Sequence, residues 1–308
     1  MLDDATWVVD RARLVRINAD ALEPMAERLT GLAVPAWHSE YHLFAPEQTM
    51  AGYVLALDTL NSCFWPRSGQ LDGAGHPTPG YIDLALGLKR AFEAQVPFDD
   101  GHFLAQLGEH DLDRWLPGMA MAESRVTALR QLGELLVSDF GGQATELIGS
   151  CQQSAVTLAR MLATRLASFA DFAIFEGRHV ALLKRAQIVG ADLWAALGGC
   201  GLGCFLDIPA LTCFADYKLP QLLRAEGVLE YAPGLQGHIE LGLELEAGSV
   251  AEVEIRCATI VAVEMLRMEL LRSGRRLNAV EVDWLLWHRS QSLAPSSPPH
   301  HRVRTVFY

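Results

Sequence analysis

Apolar residues that recur at three- and four-residue steps constrain this chain more than any other feature. The pattern runs through ALEPMAERLTGL, IDLALGLKRAFEAQ, ESRVTALRQLGELLVSDFGG and QSAVTLARMLATRLASF. Such spacing lays one apolar stripe along each helix, and each stripe needs a partner to cover it. Gly141 and Gly142 end the third stretch, as suits a helix stop. In LLKRAQIVGADLWAALGG, a stripe of Leu183, Ala186, Gly190, Leu193 and Leu197 is again closed by glycines. EIRCATIVAVEMLRMELL is apolar almost all round from Cys257 to Val263, which predicts a helix with a buried middle.

Strand signals are sparse. FAIFEGRHVALL reads as a hairpin turning at Glu176-Gly177, and the closing HRVRTVFY as a short strand. PRSGQLDGAGHPTPG (66–80) and SLAPSSPPHH (292–301), rich in Pro, Gly and Ser, are expected to be the least ordered stretches. Neither separates halves of different composition, and no internal repeat is visible. The reading is mostly α: a single helical domain over residues 1–308 with one or two short β hairpins.

The chain carries 25 Lys+Arg against 37 Asp+Glu, a net charge of -12. With no run of basic residues, such a surface repels a phosphate polymer and points to a small ligand. The six cysteines form no C-x-x-C pair, and CGLGC (Cys200, Cys204) lacks a second pair to complete a zinc site. Reduced thiols fit the cytoplasm. His38 and His42 have a helical metal spacing but no third ligand, so no metal and no cofactor are expected. The N-terminus lacks an apolar signal region, and no apolar run reaches the roughly 18 residues of a membrane span. A soluble intracellular monomer is the expectation.

One stretch mixes signals. In LTCFADYKLPQLL a carboxylate, Asp216, stands between Phe214 and Tyr217, directly before a helical run. An aspartate there is placed to cap the helix. Capping leads on the residues alone; the other reading is a charged group sheltered from water.

Longer motifs carry a resemblance. FEGRHVALLKRAQIVGADLW, GCFLDIPALTCFADYKLPQLL, EVEIRCATIVAVEML, LNSCFW, VDWLLW and HRVRTVFY resemble the queuosine salvage family, in order along nearly the whole chain. The chain departs from the family pattern at Ser62 and Cys213, which flank the key positions without replacing them. The resemblance implies hydrolysis of queuosine 5'-phosphate, releasing queuine for reuse in tRNA modification. It also implies a fold similar to helix-hairpin-helix DNA glycosylases, which keep a catalytic aspartate at the entrance to the helix after the hairpin. Asp216 matches that position.

N-glycoside cleavage develops positive charge on the ribose, and a preorganised carboxylate stabilises it. Queuine is a 7-deazaguanine and has no N7 to protonate, so the sugar cation needs more help. Asp58 and Asn61 supply an acceptor and a donor, and Phe64 and Trp65 a stacking face for the base. At helical spacing Asp58, Asn61 and Trp65 would share one side; the alternative is an aromatic core stripe with solvated neighbours. Phe205 and Asp207 are weaker candidates of the same kind, and Asp283, Trp284 and Trp287 form a further aromatic-acidic cluster. Lys184 is the first choice for the 5'-phosphate and His38 the next. Arg185 is expected to pair with Asp192, and Glu254 and Arg256 to pair or cap. Two other readings stay open: a base-excision glycosylase acting on DNA, and a non-catalytic helical module that binds a modified nucleotide.

Overall fold

A computed structural model of the chain describes residues 1–37, 40–65 and 80–308. The chain opens with α1 (Leu2–Val9), β1 (Val15–Ile17) and α2 (Leu22–Thr30). There follow α3 (Glu47–Leu60), α4 (Tyr81–Glu93), α5 (Gly101–Ala105), α6 (Glu109–Trp115), α7 (Ala122–Asp139), α8 (Ala144–Ser150) and α9 (Ala155–Arg165). The strands β2 (Phe172–Phe175) and β3 (Arg178–Ala181) precede α10 (Lys184–Ala196). The rest holds α11 (Lys218–Ala225), β4 (Leu229–Tyr231), α12 (Pro233–Glu240), β5 (Glu244–Leu245), α13 (Val250–Arg272), α14 (Ala279–Ser290) and β6 (Arg302–Val303). The fold is mostly α. Among the described residues no helix is long and apolar enough to cross a membrane.

Contacts group the chain into two compact units that interleave in sequence. The first takes Met1–Pro35, Asp171–Lys184 and Pro209–Thr305; the second takes Ala36–Ala170, Arg185–Ile208 and Val306–Tyr308.

In the first unit α13 is the central element and packs against α1, α2, α11, α14 and β1. Its middle is buried, with Cys257, Ala258, Ile260, Ala262 and Val263 all in the core. Glu254, on the same helix, is buried because its Oε2 accepts the backbone N–H groups of Arg13, Leu14 and Val15 at 3.0, 2.7 and 3.1 Å. That single carboxylate steers the chain into β1, which pairs antiparallel with β4, Val15 opposite Tyr231. The predicted hairpin forms: Phe175 pairs with Arg178, and Glu176 (φ 46) and Gly177 (φ 79) make the two-residue turn. Positive φ at both turn positions matches the right-handed twist of the strands. The C-terminal strand is shorter than the sequence suggests. Only Arg302–Val303 pair, in parallel, with Glu244–Leu245.

In the second unit α3 is buried from Met50 through Leu60 and packs against α4, α7 and α8. α7 ends where expected: Gly142 N–H returns to the Leu136 carbonyl at 2.9 Å, with Gly141 at φ 58. α10 starts one residue later than its apolar stripe, because Leu183 has φ 51 and lies outside the helix. Of the loops expected to be least ordered, residues 66–79 lie outside the described residues. The stretch 292–301, in the first unit, takes a defined course, tied to α11 by Gln221 Nε2 donating to the Pro298 carbonyl at 3.0 Å.

In the second unit α5 and α7 meet backbone to backbone at Gly133. A Cβ added at Gly133 would lie 2.3 Å from Ala105 N and 2.7 Å from the Gly101 carbonyl oxygen. Backbone cannot yield as a side chain can. Gly133→Ala is therefore expected to cost about 1–3 kcal/mol, read as a lower urea midpoint at unchanged slope.

Candidate active site

Asp216 stands just before α11, 8% exposed. Its Oδ1 accepts the N–H groups of Lys218 (2.7 Å) and Leu219 (3.1 Å), two of the donors that a helix N-terminus leaves without partners. Pro220 removes a third, having no N–H. Among the described residues no donor reaches Oδ2. Asp216 is thus both a cap and a largely buried residue. Phe214 and Tyr217, both buried, flank the carboxylate in the chain.

The two residues before Asp216 are gripped separately. Asp283 Oδ1, on α14, accepts the Phe214 N–H at 2.7 Å. Arg256 Nε, on α13, donates to the Ala215 carbonyl at 2.9 Å. The Arg256 guanidinium also forks onto Asp171, at 2.8 Å to Oδ1 and 2.6 Å to Oδ2, and reaches Glu252 Oε1 at 3.4 Å. Arg256 is 1% exposed. Asp171 Oδ2 further accepts the backbone N–H of Lys184, the proposed phosphate residue, at 3.0 Å. Glu254 and Arg256 were expected to pair or cap. They serve different partners, Glu254 the loop into β1 and Arg256 the Asp171 and Glu252 carboxylates.

Sequence reasoning passed over His300 and His301, whose signal was a histidine pair at the end of a Pro-Ser loop. The His300 ring lies 4.7 Å from the Tyr217 ring at 37°, and its Nδ1 is 2.7 Å from the His301 carbonyl oxygen. Burial lowers the His300 pKa, Lys218 and Arg302 push the same way, and the His301 carbonyl and Asp216 oppose them. Burial, with His300 and Arg256 nearby, pushes His301 down to about 3. Burial raises the Cys213 thiol well above its ordinary value, helped by Asp283 and Asp216, so it remains a thiol. Trp287 packs against the core of the first unit, the structural role open to it from sequence.

In the second unit Asp58 is fully buried and its Oδ1 accepts from Asn61 Nδ2 at 3.3 Å. α3 stops at Leu60, so Asn61 and Trp65 do not continue its face as their spacing suggested; Cys63, with φ 52, turns the chain away. Two arginines take the helix's last carbonyls. Arg185 donates to Asp58 O at 3.3 Å and to Thr59 O and Ser168 O, and Arg125 to Leu60 O and Ser62 O. Arg125 also lies 5.4 Å over the half-buried Phe64 ring, while Trp65 is buried. His42 uses both nitrogens, Nδ1 on the Trp37 carbonyl and Nε2 on the Tyr81 hydroxyl at 2.9 Å. Burial raises the Tyr81 phenol, with Asp192 and Asp58 adding to it.

Asp207 is spent on α9: Oδ1 accepts Ala155 N–H at 2.7 Å, and Oδ2 accepts Ser154 Oγ at 2.6 Å and Val156 N–H at 3.3 Å. Its neighbour Phe205 is buried. His38 lies outside the described residues. Among the described residues no three His, Cys, Asp or Glu side chains gather as a metal site would require.

Residues 41–308 match the family model described as queuosine salvage protein. The chain belongs to the queuosine salvage protein family. Curated relatives named queuosine 5'-phosphate N-glycosylase/hydrolase include those of Sphaerobacter thermophilus, 41% identical over 98% of this chain and 95% of theirs. That of Dictyostelium discoideum is 35% identical, covering 99% and 98%. That of Mus musculus is 32% identical, with the same coverage. Within this family member the matched span holds Asp171, Asp216, Arg256, Asp283 and His300, whereas α1, β1 and α2 precede it.

Removing the Arg256 guanidinium would leave two carboxylates buried without their cation. Arg256→Met is expected to cost about 3–5 kcal/mol by chemical denaturation. The buried His301 gives a pH dependence as well. Between its ordinary 6.5 and about 3 the unfolded chain takes up a proton that the folded chain refuses. The His301 contribution is therefore complete above about pH 6.5 and is lost as pH falls, on the order of a few kcal/mol. The urea midpoint should drop on acidification from pH 7 to 4.5, and drop less in His301→Phe.

Proposed function

We propose that this chain hydrolyses the N-glycosidic bond of queuosine 5'-phosphate, releasing queuine and ribose 5-phosphate. The name shared by its relatives supports the substrate. The observation that carries the chemistry is the asymmetric carboxylate of Asp216, one oxygen fixed by the start of α11 and the other reached by no donor among the described residues.

Bond breaking leaves the electron pair on the base and positive charge spread over C1' and the ring oxygen of the ribose. A carboxylate that does not have to reorient stabilises that charge at no reorganisation cost. The α11 amides and the grips on Phe214 and Ala215 supply this fixity. Water then adds its hydroxyl to C1', and its proton passes to Asp216 or to the departing base. With no N7 to protonate on a 7-deazaguanine, the sugar side carries more of the stabilisation.

Other roles follow by chemistry. Lys184 is assigned the phosphate, as a point charge whose backbone is anchored on Asp171. Asp58, Asn61, Phe64 and Trp65 keep the base role suggested by their types. Asp207 is withdrawn from this set. Asp283 and Tyr217 are read as holding Phe214 and Asp216 in place.

The test is to incubate the protein with queuosine 5'-phosphate and follow free queuine by chromatography. Asp216→Asn should keep the fold by circular dichroism and lower kcat by about 10²–10³-fold or more. Release at the wild-type rate by the folded variant would remove Asp216 from the reaction.

A further inference from the structure

His300 lies in a stretch whose sequence reads as loop, yet its surroundings are specific. We propose that His300 is a proton-sensitive positioning residue of the hydrolytic site: its neutral ring holds Tyr217 beside Asp216, and protonation turns the site down. The proposal rests on the hydrolase reading above.

The first support is the tautomer. A carbonyl oxygen can only accept, so the 2.7 Å contact with the His301 oxygen requires a proton on Nδ1. In the neutral ring Nε2 therefore keeps its lone pair. The second is the ring contact. Tyr217 follows Asp216 in the chain and precedes Lys218, whose N–H the Asp216 carboxylate takes. A ring laid 4.7 Å from Tyr217 limits how far that corner can turn. The third is the tether. Gln221 on α11 holds the Pro298 carbonyl, so the loop bearing His300 is fixed to the helix that Asp216 caps.

The charges facing His300 explain the sensitivity. Asp216 and Lys218 come from the start of α11, Arg302 from β6, and His301 is its chain neighbour, itself close to Arg256 of α13. Burial and the two cations outweigh the His301 carbonyl and the one carboxylate, so the ring is neutral near pH 7. An imidazolium there would be drawn to Asp216, and its charge would offset the negative potential that a sugar cation needs. The rate should then fall on the acid side by one proton.

Two measurements test this. The first is kcat from pH 7.5 to 4.5 for wild type and His300→Gln, at saturating substrate because a phosphate monoester also titrates near pH 6. Circular dichroism at each pH restricts the comparison to folded protein. Wild type should lose at least about tenfold on the acid side, whereas the glutamine variant, slower at pH 7.5, should hold its rate to lower pH. Coincident profiles would overturn the proposal. The second is nitrogen NMR of histidine-labelled wild type at pH 7, which needs no substrate and no variant. A proton on Nε2 of His300 instead of Nδ1 would overturn it too. If wild type released no queuine, the hydrolase reading would fall and this role with it, while the tautomer result would still report on the geometry.

Discussion

Arg256 and Asp171, both nearly removed from solvent, form the interaction on which the rest of the first unit depends. Burying two charges costs several kcal/mol each in lost hydration, and the attraction between them need not recover more than that. A pair of well-packed apolar side chains would serve stability as well. What apolar side chains could not supply is the remaining donor, Nε, aimed at the Ala215 carbonyl. Asp171 locks the plane of the guanidinium by taking both terminal nitrogens, and that lock fixes where Nε points. It also collects the Lys184 amide at the start of α10. One ion pair thus holds both the Ala215 carbonyl, next to Asp216, and the Lys184 amide.

The same economy appears at Asp216. A carboxylate that caps a helix is usually accounted for by the cap alone. Here Oδ1 takes two α11 amides, so the helix orients the whole carboxylate, including the Oδ2 proposed above for the chemistry. Because Asp283 holds Phe214 and Arg256 holds Ala215, the three residues 214–216 are tied to α14, α13 and α11 in turn. A shift of any of these helices is therefore transmitted to the carboxylate.

Much of this was legible in the sequence where a signal is local. The Glu176-Gly177 turn, the glycines after α7 and the all-round apolar middle of α13 each follow from short-range chemistry. What escaped depends on distant partners. β1 and β4 are three residues each, too short to show alternation, and their pairing joins Val15 to Tyr231 across most of the chain. The end of α3 at Leu60 has no proline or glycine to announce it, and Arg185 and Arg125 take its last carbonyls from afar. Each of the two units is assembled from separated segments, so long-range contacts define them and no single boundary along the chain does.

The sharpest case is a pattern that occurs twice. Phe205-Leu206-Asp207 and Phe214-Ala215-Asp216 both read as F-x-D, each with a buried phenylalanine and an aspartate at a helix N-terminus. Sequence ranks them only through what surrounds them. In the structure Asp207 gives both oxygens to α9, to Ala155 N–H on one side and to Ser154 Oγ and Val156 N–H on the other. A carboxylate so committed would have to give up hydrogen bonds before it could act on a ligand. Asp216 takes its two α11 amides on one oxygen, and Pro220, in the first turn of the same helix, has no N–H to add a third. The two aspartates thus share a pattern and differ in how many of their oxygens the neighbouring helix takes.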